Sequence, residues 1–185
     1  GGMEYGEEEH IATLWHEAFH CYQSTFFPDN VNAICPAEVD EGTIAGEVDT
    51  NPQAVSLFRQ QAQLLEEAVK AEDVDKIKEC IVKYKELDEE RKMLLPGEVI
   101  ALEDYYTRVE GTARYIEASV YKMLVPEQFD SAYMDVISEY GGGSTKYYKV
   151  GMAQCMILDT LDPHWKNGFD FSEPVIDLIY ARLNV

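Results

Sequence analysis

The stretch TLWHEAFHCYQ, residues 13–23, places two histidines four residues apart with a glutamate directly after the first. Residues four apart share one face of a helix, so His16 and His20 can direct ring nitrogens at a single ion. Glu17 lies about 100° further round the helix, where its carboxylate can reach a metal-bound water rather than the metal. Catalytic zinc takes imidazole nitrogens and keeps one position open for water. This HExxH pattern therefore predicts a metal site with its own base.

The alternative interpretation is a surface helical turn with two incidental histidines. With ordinary residue usage, a chance match to HExxH in a chain of this length is on the order of one in a few hundred. The motif is also interleaved with apolar residues, which predicts a site helix buried in a core. These residues are Leu14, Trp15, Ala18 and Phe19. Metal binding is the preferred interpretation.

A third ligand should come from another helix, and the segment RVEGTARYIE, residues 108–117, is the strongest candidate. Its Gly111 lies in the middle of a predicted helix, where glycine costs about 1 kcal/mol relative to alanine. Close approach of another helix, with small Ala113 alongside, would explain that cost. A local irregularity of the helix is the alternative.

The order of HEAFH and EGTARYIE resembles the gluzincin metallopeptidases, especially the aminopeptidase N and leukotriene hydrolase branch. In that branch the third zinc ligand is the glutamate of a segment of the form NEGFAxYxE. The resemblance implies a Zn²⁺ ion held by His16, His20 and Glu110, with Glu17 as the general base.

The same resemblance suggests a catalytic tyrosine. The branch places it three residues before a glycine, and in YYKVGMAQCMILDTL the matching residue is Tyr148, three before Gly151. Tyr148 would donate a hydrogen bond to the oxyanion, although the adjacent Tyr147 is a competitor. Val150 stands where the family has a lysine.

The sequence leaves two alternative roles for each of two polar residues, Glu117 and Gln23. Glu117 lies seven residues after Glu110, about 10.5 Å along a helix, which is too far to share one zinc ion. It could accept a hydrogen bond from a ligand histidine's second ring nitrogen, or be a solvated charge. Gln23 could line the site or contact solvent at the end of its helix.

The sequence also departs from this family. Glu110 follows His20 by 90 positions, and the intervening region contains an expected helical hairpin at 53–95. The family's five-stranded sheet has no room in the fifteen residues before the motif. The stretch GGMEYG is similar to the exopeptidase loop GxMEN but has Tyr5 in place of asparagine, and a tag remnant is the simpler interpretation.

Hydrophobic periodicity predicts a mainly α protein with a zincin-like helical catalytic core, an inserted hairpin and an absent or vestigial upstream sheet. The chain, residues 1–185, reads as one domain. Residues 28–52 are expected to form an irregular connection, and GGGS at 141–144 a flexible joint. The expected helices are 9–26, 53–70, 77–94, 99–123, 129–140, 146–161 and 173–183.

Charge and composition limit the partners. The 185 residues include 15 Lys and Arg against 35 Asp and Glu, a net charge of −20. This charge disfavours nucleic acid and anionic lipid, and the longest apolar runs are too short to insert in a membrane. The four cysteines form no CxxC pair and are interpreted as free thiols. No signal peptide is evident, but an upstream segment could have been removed. The sequence therefore does not determine the cellular compartment.

The expected function is a zinc-dependent peptidase that acts on a peptide or protein substrate. The alternatives are a catalytically inactive relative that serves as a helical binding module, and a helical interaction protein whose HEAFH is incidental.

Overall fold

A computed structural model describes residues 6–35 and 41–185 of the chain. The described residues form helices joined by turns and loops, with no β-strand among them, so the expected mainly helical class is confirmed. None of the helices in these two ranges has the length and apolar character needed to cross a bilayer. The α-helices are α1 (Glu7–Phe26), α2 (Pro28–Ile34), α3 (Glu41–Glu47), α4 (Pro52–Lys70), α5 (Val74–Lys92), α6 (Gly97–Tyr105), α7 (Gly111–Leu124), α8 (Thr145–Leu161) and α9 (Val175–Leu183).

The helix that carries HExxH lies at the outside of the molecule. It packs mainly against α7, and only Ala12, His16 and Gln23 of α1 are buried. Leu14 and Trp15 are 54% and 55% exposed, so the expectation that the motif helix is buried in a core is wrong. The reason is that α1 packs mainly on α7 and needs only one buried stripe. The exposed large apolar residues, called the outer face of α1, are Ile11, Leu14, Trp15, Tyr22 and Phe26.

The helical hairpin forms as the sequence predicts. Asn51 and Asp73 cap the starts of α4 and α5, because each side chain accepts hydrogen bonds from the first backbone N–H groups of its helix. α5 buries Ile77, Cys80 and Tyr84, which follow one another at helical steps of three and four. α4 packs on α8 as well as on α5, so the hairpin belongs to the main hydrophobic core.

The helix expected at 99–123 is interrupted by a π-helical turn, Tyr106–Glu110, between α6 and α7. A π turn holds an extra residue, which rotates the residues after it relative to an uninterrupted α-helix. Tyr115 and Tyr121 are therefore buried, whereas Met123, at the end of the expected helix, is 75% exposed. The turn ends at Glu110, the candidate ligand.

Two other expectations need correction. Residues 28–52 contain α2 and α3, because Pro28 suits the first turn of a helix as well as the end of one. Residues 36–40 lie outside the described part of the chain. The same is true of residues 1–5, which make up most of the GGMEYG stretch. The helix expected at 129–140 is instead a π turn, Asp130–Met134, followed by further turns. Here the buried rings of Phe129 and Tyr133 stack 5.8 Å apart.

The GGGS segment, expected to be a flexible joint, is anchored by hydrogen bonds to Asp49. Asp49 accepts hydrogen bonds from the backbone N–H of Gly143 at 2.7 Å and from Lys146 Nζ at 2.8 Å. The hydroxyl of Tyr140 donates to the same carboxylate. These bonds fix the start of α8, the helix that carries Tyr148.

Two glycines bring α7 and α8 into backbone contact. A Cβ atom on Gly111 would lie 2.5 Å from the Cα of Gly151, and one on Gly151 would lie 2.0 Å from the carbonyl oxygen of Thr107. No side chain fits at those distances. The close helix approach predicted at Gly111 is therefore confirmed, and its partner is α8. The contact brings the helix that carries Tyr148 against the turn that ends at Glu110.

Candidate metal centre

Three side chains from two parts of the fold meet at one point. His16 and His20 come from α1, and Glu110 comes from the end of the π-helical turn before α7. One carboxylate oxygen of Glu110 lies 3.2 Å from His16 Nε2 and 3.3 Å from His20 Nε2. One ligand atom from each residue lies within 4.8 Å of the others. The motif and the predicted third ligand are thus brought together.

The second ring nitrogen of each histidine is bound to a separate partner. His16 Nδ1 lies 3.2 Å from Glu117 Oε2, and His20 Nδ1 donates to Gln23 Oε1 at 2.7 Å. A hydrogen bond at Nδ1 fixes the tautomer and leaves Nε2 available. Both Nε2 atoms then face Glu110. Of the two roles considered for Glu117, its position fits the histidine partner rather than the solvated charge.

Gln23 is buried and has hydrogen bonds on both ends of its amide. Beyond its bond to His20, its Nε2 donates to the carbonyl of Val109 at 2.9 Å and to Thr112 Oγ1 at 3.0 Å. It is only 1% exposed, so it makes no solvent contact at the helix end. Gln23 therefore ties the orientation of His20 to the π-helical turn that presents Glu110.

Glu117 is itself held by neighbours that sequence reasoning missed. Arg114 forms an ion pair with its Oε1, and the hydroxyl of Tyr133 donates to the same oxygen at 3.1 Å. The Arg114–Glu117 spacing of three is a usual helical ion pair and could have been found from the sequence. Tyr133 comes from a separate turn, and no pattern in the sequence indicates its contact.

The pKa values of these groups reflect their mutual contacts. Burial disfavours the charged form of His16, but hydrogen bonds to Glu110 and Glu117 outweigh it and raise its pKa to about 9. The hydrogen bond to Glu110 raises the pKa of His20. Burial alone would raise the pKa of Glu110, yet the two histidines lower it to about 2. Two imidazoles thus share one carboxylate, which in the absence of a metal favours their protonated forms.

The donor set fits a zinc ion. Bonds of 2.0–2.2 Å at tetrahedral angles place neighbouring ligand atoms about 3.4 Å apart. The separations of 3.2 and 3.3 Å from Glu110 to the two histidines are close to that value. Two neutral imidazoles and one carboxylate are also a known ligand set of catalytic zinc, and they leave a fourth position for water.

A cleft of about 330 Å³ opens beside the ligands, lined in part by His16, Glu17 and Tyr148. Glu17 is exposed, and the rings of Tyr148 and His16 are stacked with centroids 6.3 Å apart. Tyr147 is 2% exposed and donates to Glu103 instead, on a different face of α8. Of the two tyrosines considered from the sequence, only Tyr148 lines this cleft.

Comparisons of this chain with protein-family models, with curated proteins and with solved structures find no match. Assignment of a function therefore depends on the chemistry of the side chains themselves.

Proposed function

We propose that the protein is a zinc-dependent peptidase that hydrolyses peptide bonds with Glu17 as the general base. One observation carries this proposal. The Nε2 atoms of both HExxH histidines meet the carboxylate of Glu110, while Glu17, between them in sequence, stays exposed on the neighbouring cleft.

The roles of the residues follow from their positions. His16, His20 and Glu110 would hold the ion, which when bound polarises the scissile carbonyl and acidifies a water molecule. Glu17 would accept a proton from that water and deliver it to the leaving amine. Tyr148 would donate a hydrogen bond to the oxygen on which negative charge develops. Glu117 and Gln23 would keep the two imidazoles oriented.

The fold is compatible with a helical zincin-like core of the gluzincin type. Its centre would be the packing of α1 on α7, with the α4–α5 hairpin inserted between the two ligand segments. In such a protein Gly111 and Gly151 set the spacing between the third ligand and the tyrosine.

A second candidate is a metal-binding relative that has lost catalysis and acts as a helical binding module. Peptidases commonly pair the substrate backbone with an edge strand, and the described residues contain none. The exposed outer face of α1 also favours a binding role.

A peptide-library digestion separates the two candidates. Zinc-loaded wild-type protein is compared with Glu17→Gln, which keeps the side chain's shape but removes the base. We expect wild type to cleave, and the variant to keep its zinc while losing about 10²–10⁴-fold in rate. Zinc binding without cleavage by wild type favours the binding module. Equal cleavage by the two proteins eliminates Glu17 as the base.

A further inference from the structure

The outer face of α1 continues into a small aromatic pocket. Ile11, Leu14, Trp15, Tyr22 and Phe26 make up this face, and each is at least 41% exposed. Tyr22 also lines the pocket, together with side chains of α7 and of the loop between α8 and α9. Single exposed apolar residues are usual on a protein surface, but a row of five along one helix is typical of a surface that a partner covers.

The pocket has a volume of about 100 Å³ and is walled mainly by aromatic rings. These rings belong to Phe19 and Tyr22 of α1, Tyr115 of α7, and Trp165, Phe169 and Phe171 of the loop. Sites for small molecules usually hold about 300–1,000 Å³, so this pocket is too small for such a ligand. It has the form of a socket for one apolar side chain of a partner, the kind of contact that dominates many protein interfaces.

One wall of the pocket is held in a strained backbone conformation. Phe171 has a φ of +67°, in the left-handed region that a bulky residue rarely adopts. Its ring centroid lies 4.8 Å from that of Phe169 and 5.3 Å from that of Phe27, and its carbonyl accepts a hydrogen bond from Arg108 at 2.9 Å. Strained residues of this kind are concentrated at functional sites. These contacts form the pocket in advance, which reduces the cost of ordering it when a partner binds.

The two helices at the start of the chain give this surface a negative charge. α1 and α2 together contain five carboxylates and no lysine or arginine. Glu7 and Glu8 precede Ile11 by one helical turn, and Asp29 follows Phe26 in the first turn of α2. Carboxylates therefore flank the apolar row at both ends, where they attract a partner with basic side chains.

The pocket adds no unpaired positive charge to this surface. Lys166 is the one cation among the described residues that line it, and its ammonium group forms an ion pair with Asp159. A partner with carboxylates beside its apolar residues would be repelled. A second copy of this chain is disfavoured for the same reason, because it would bring the same carboxylates and a net charge of −20.

The shape of the surface favours a helix as the partner. The row from Ile11 to Phe26 spans about 22 Å along α1. Helices pack along each other through side chains that recur about one turn apart, which is how the row is arranged. The described residues contain no strand whose edge an extended peptide could join.

We propose that the outer face of α1 and its pocket bind a basic amphipathic helix of a partner protein. The apolar stripe of that helix would cover the five exposed side chains, and one of its apolar side chains would enter the pocket. Its lysines and arginines would face the carboxylates at the two ends of the row. The residues of α1 that line the metal cleft are Thr13, His16 and Glu17, which lie outside this surface, so the proposal does not depend on the peptidase.

Two synthetic peptides of about 18 residues, long enough to cover the row as helices, test the proposal on the full chain. They share one stripe of leucines and differ only at the flanking positions, which are lysine in one and glutamate in the other. Fluorescence anisotropy of a dye on the peptide gives the affinity. Acrylamide quenching gives the location, because Trp15 is 55% exposed and Trp165 only 6%.

We expect the lysine peptide to bind at least about tenfold more tightly than the glutamate peptide and to protect Trp15 from quenching. Replacement of each leucine by alanine in turn should reveal one position that dominates binding, because one side chain enters the pocket. Failure of the lysine peptide to bind, or equal affinity of the two peptides, overturns the proposal. Equal losses at every leucine contradict the role of the pocket.

Trp15→Ser and Phe26→Ser test the surface itself. Both side chains are exposed, so their loss should leave folding intact and weaken binding of the lysine peptide at least about tenfold. Met93→Ser is the matched control, since it removes an 80% exposed apolar side chain just after α5 and should leave binding unchanged. Binding that survives both substitutions in α1 is attraction by net charge alone and overturns the proposal.

Two further measurements detect other occupants of the surface. We expect a monomer by sedimentation velocity in dilute buffer and no flotation with phosphatidylcholine vesicles. A dimer that Trp15→Ser dissociates would assign the face to a second copy of the chain. Flotation that the lysine peptide does not prevent would assign it to lipid, and either result overturns the proposal.

Discussion

The imidazoles of His16 and His20 each use their two nitrogens for different tasks. Nδ1 binds a fixed partner, Glu117 or Gln23, and Nε2 faces the shared carboxylate of Glu110. The partners differ in charge, because one is a carboxylate and the other an amide. The two histidines therefore have different electrostatic surroundings, although the motif alone makes them look equivalent.

The first prediction ranks three glutamates that recur every seven residues. Glu110→Gln should weaken zinc binding most, since it removes a charged ligand, and Glu117→Gln should weaken it about 10–100-fold by releasing His16. Glu103→Gln should leave zinc affinity unchanged but lower stability, because Glu103 is buried against Arg91. Competition with a zinc chelator gives the order. Tighter zinc binding by Glu110→Gln than by Glu117→Gln contradicts the assignment of the third ligand.

The second prediction concerns the protons that the two histidines release when zinc binds. His16 has a pKa of about 9 without metal and is therefore protonated at pH 7, and the pKa of His20 is also raised. Zinc requires neutral imidazoles, so binding at pH 7 should release about one to two protons. Zinc affinity should accordingly rise with pH up to about 9 and then level off. Calorimetry in two buffers with different ionisation enthalpies counts the protons, and a count near zero would refute the shared-carboxylate arrangement.

Among the helices, α8 contributes side chains to two separate cavities from two different faces. One face carries Tyr148 at the cleft beside the candidate metal ligands. The other carries Gln154 at a cavity between the α4–α5 hairpin and α9. Its position depends on the contact of Gly151 with Gly111 and the carbonyl of Thr107. That carbonyl belongs to the π-helical turn ending at Glu110, so a shift of α8 would disturb both regions.

The third prediction follows from this contact. Gly151→Ala places a methyl group 2.0 Å from the Thr107 carbonyl oxygen and should reduce the free energy of unfolding by about 3 kcal/mol or more. It should also weaken zinc binding, because the turn that presents Glu110 must move. Gly46→Ala is the matched control, since nothing lies within 4 Å of its new methyl group. Chemical denaturation and zinc titration of both variants check this, and an equally stable Gly151→Ala would contradict the contact.

At the scale of the whole molecule, a bound ion would connect α1 to the rest of the protein. α1 packs mainly on α7 and buries only three of its residues, whereas the hairpin and α8 share the main core. Two of the three ligands belong to this peripheral helix. Metal binding should therefore affect the local stability of α1 more than that of any core helix.

The fourth prediction is that chelation loosens α1 selectively. Removal of zinc present at about a thousandfold its dissociation constant should cost about 4 kcal/mol of stability. Hydrogen exchange followed by mass spectrometry should then show faster exchange in residues 7–26, with little change in α4 and α5. If α1 and α5 lose protection equally, the ion does not act as a local link.

The local patterns predicted much of this arrangement. The helix spacing of His16 and His20, the helical hairpin at 53–95 and the mid-helix Gly111 are all short-range signals, and the structure agrees with them. The π-helical turn was not predictable, because its extra residue is stabilised by contacts between distant segments. The same holds for the tether of GGGS to Asp49, 94 residues before Gly143. The exposure of α1 was missed because apolar residues around a motif do not reveal how many partners a helix has.

The outer face of α1 affects how solutions of this protein should behave. It presents five large apolar side chains over about 22 Å of helix, on a molecule with a net charge of −20. In dilute buffer that charge keeps two copies apart, but about 1 M salt screens it to within about 3 Å and leaves apolar contact to dominate. The osmotic second virial coefficient should change from positive to negative as salt is added. Static light scattering would measure this change, and Trp15→Ser should shift it to higher salt.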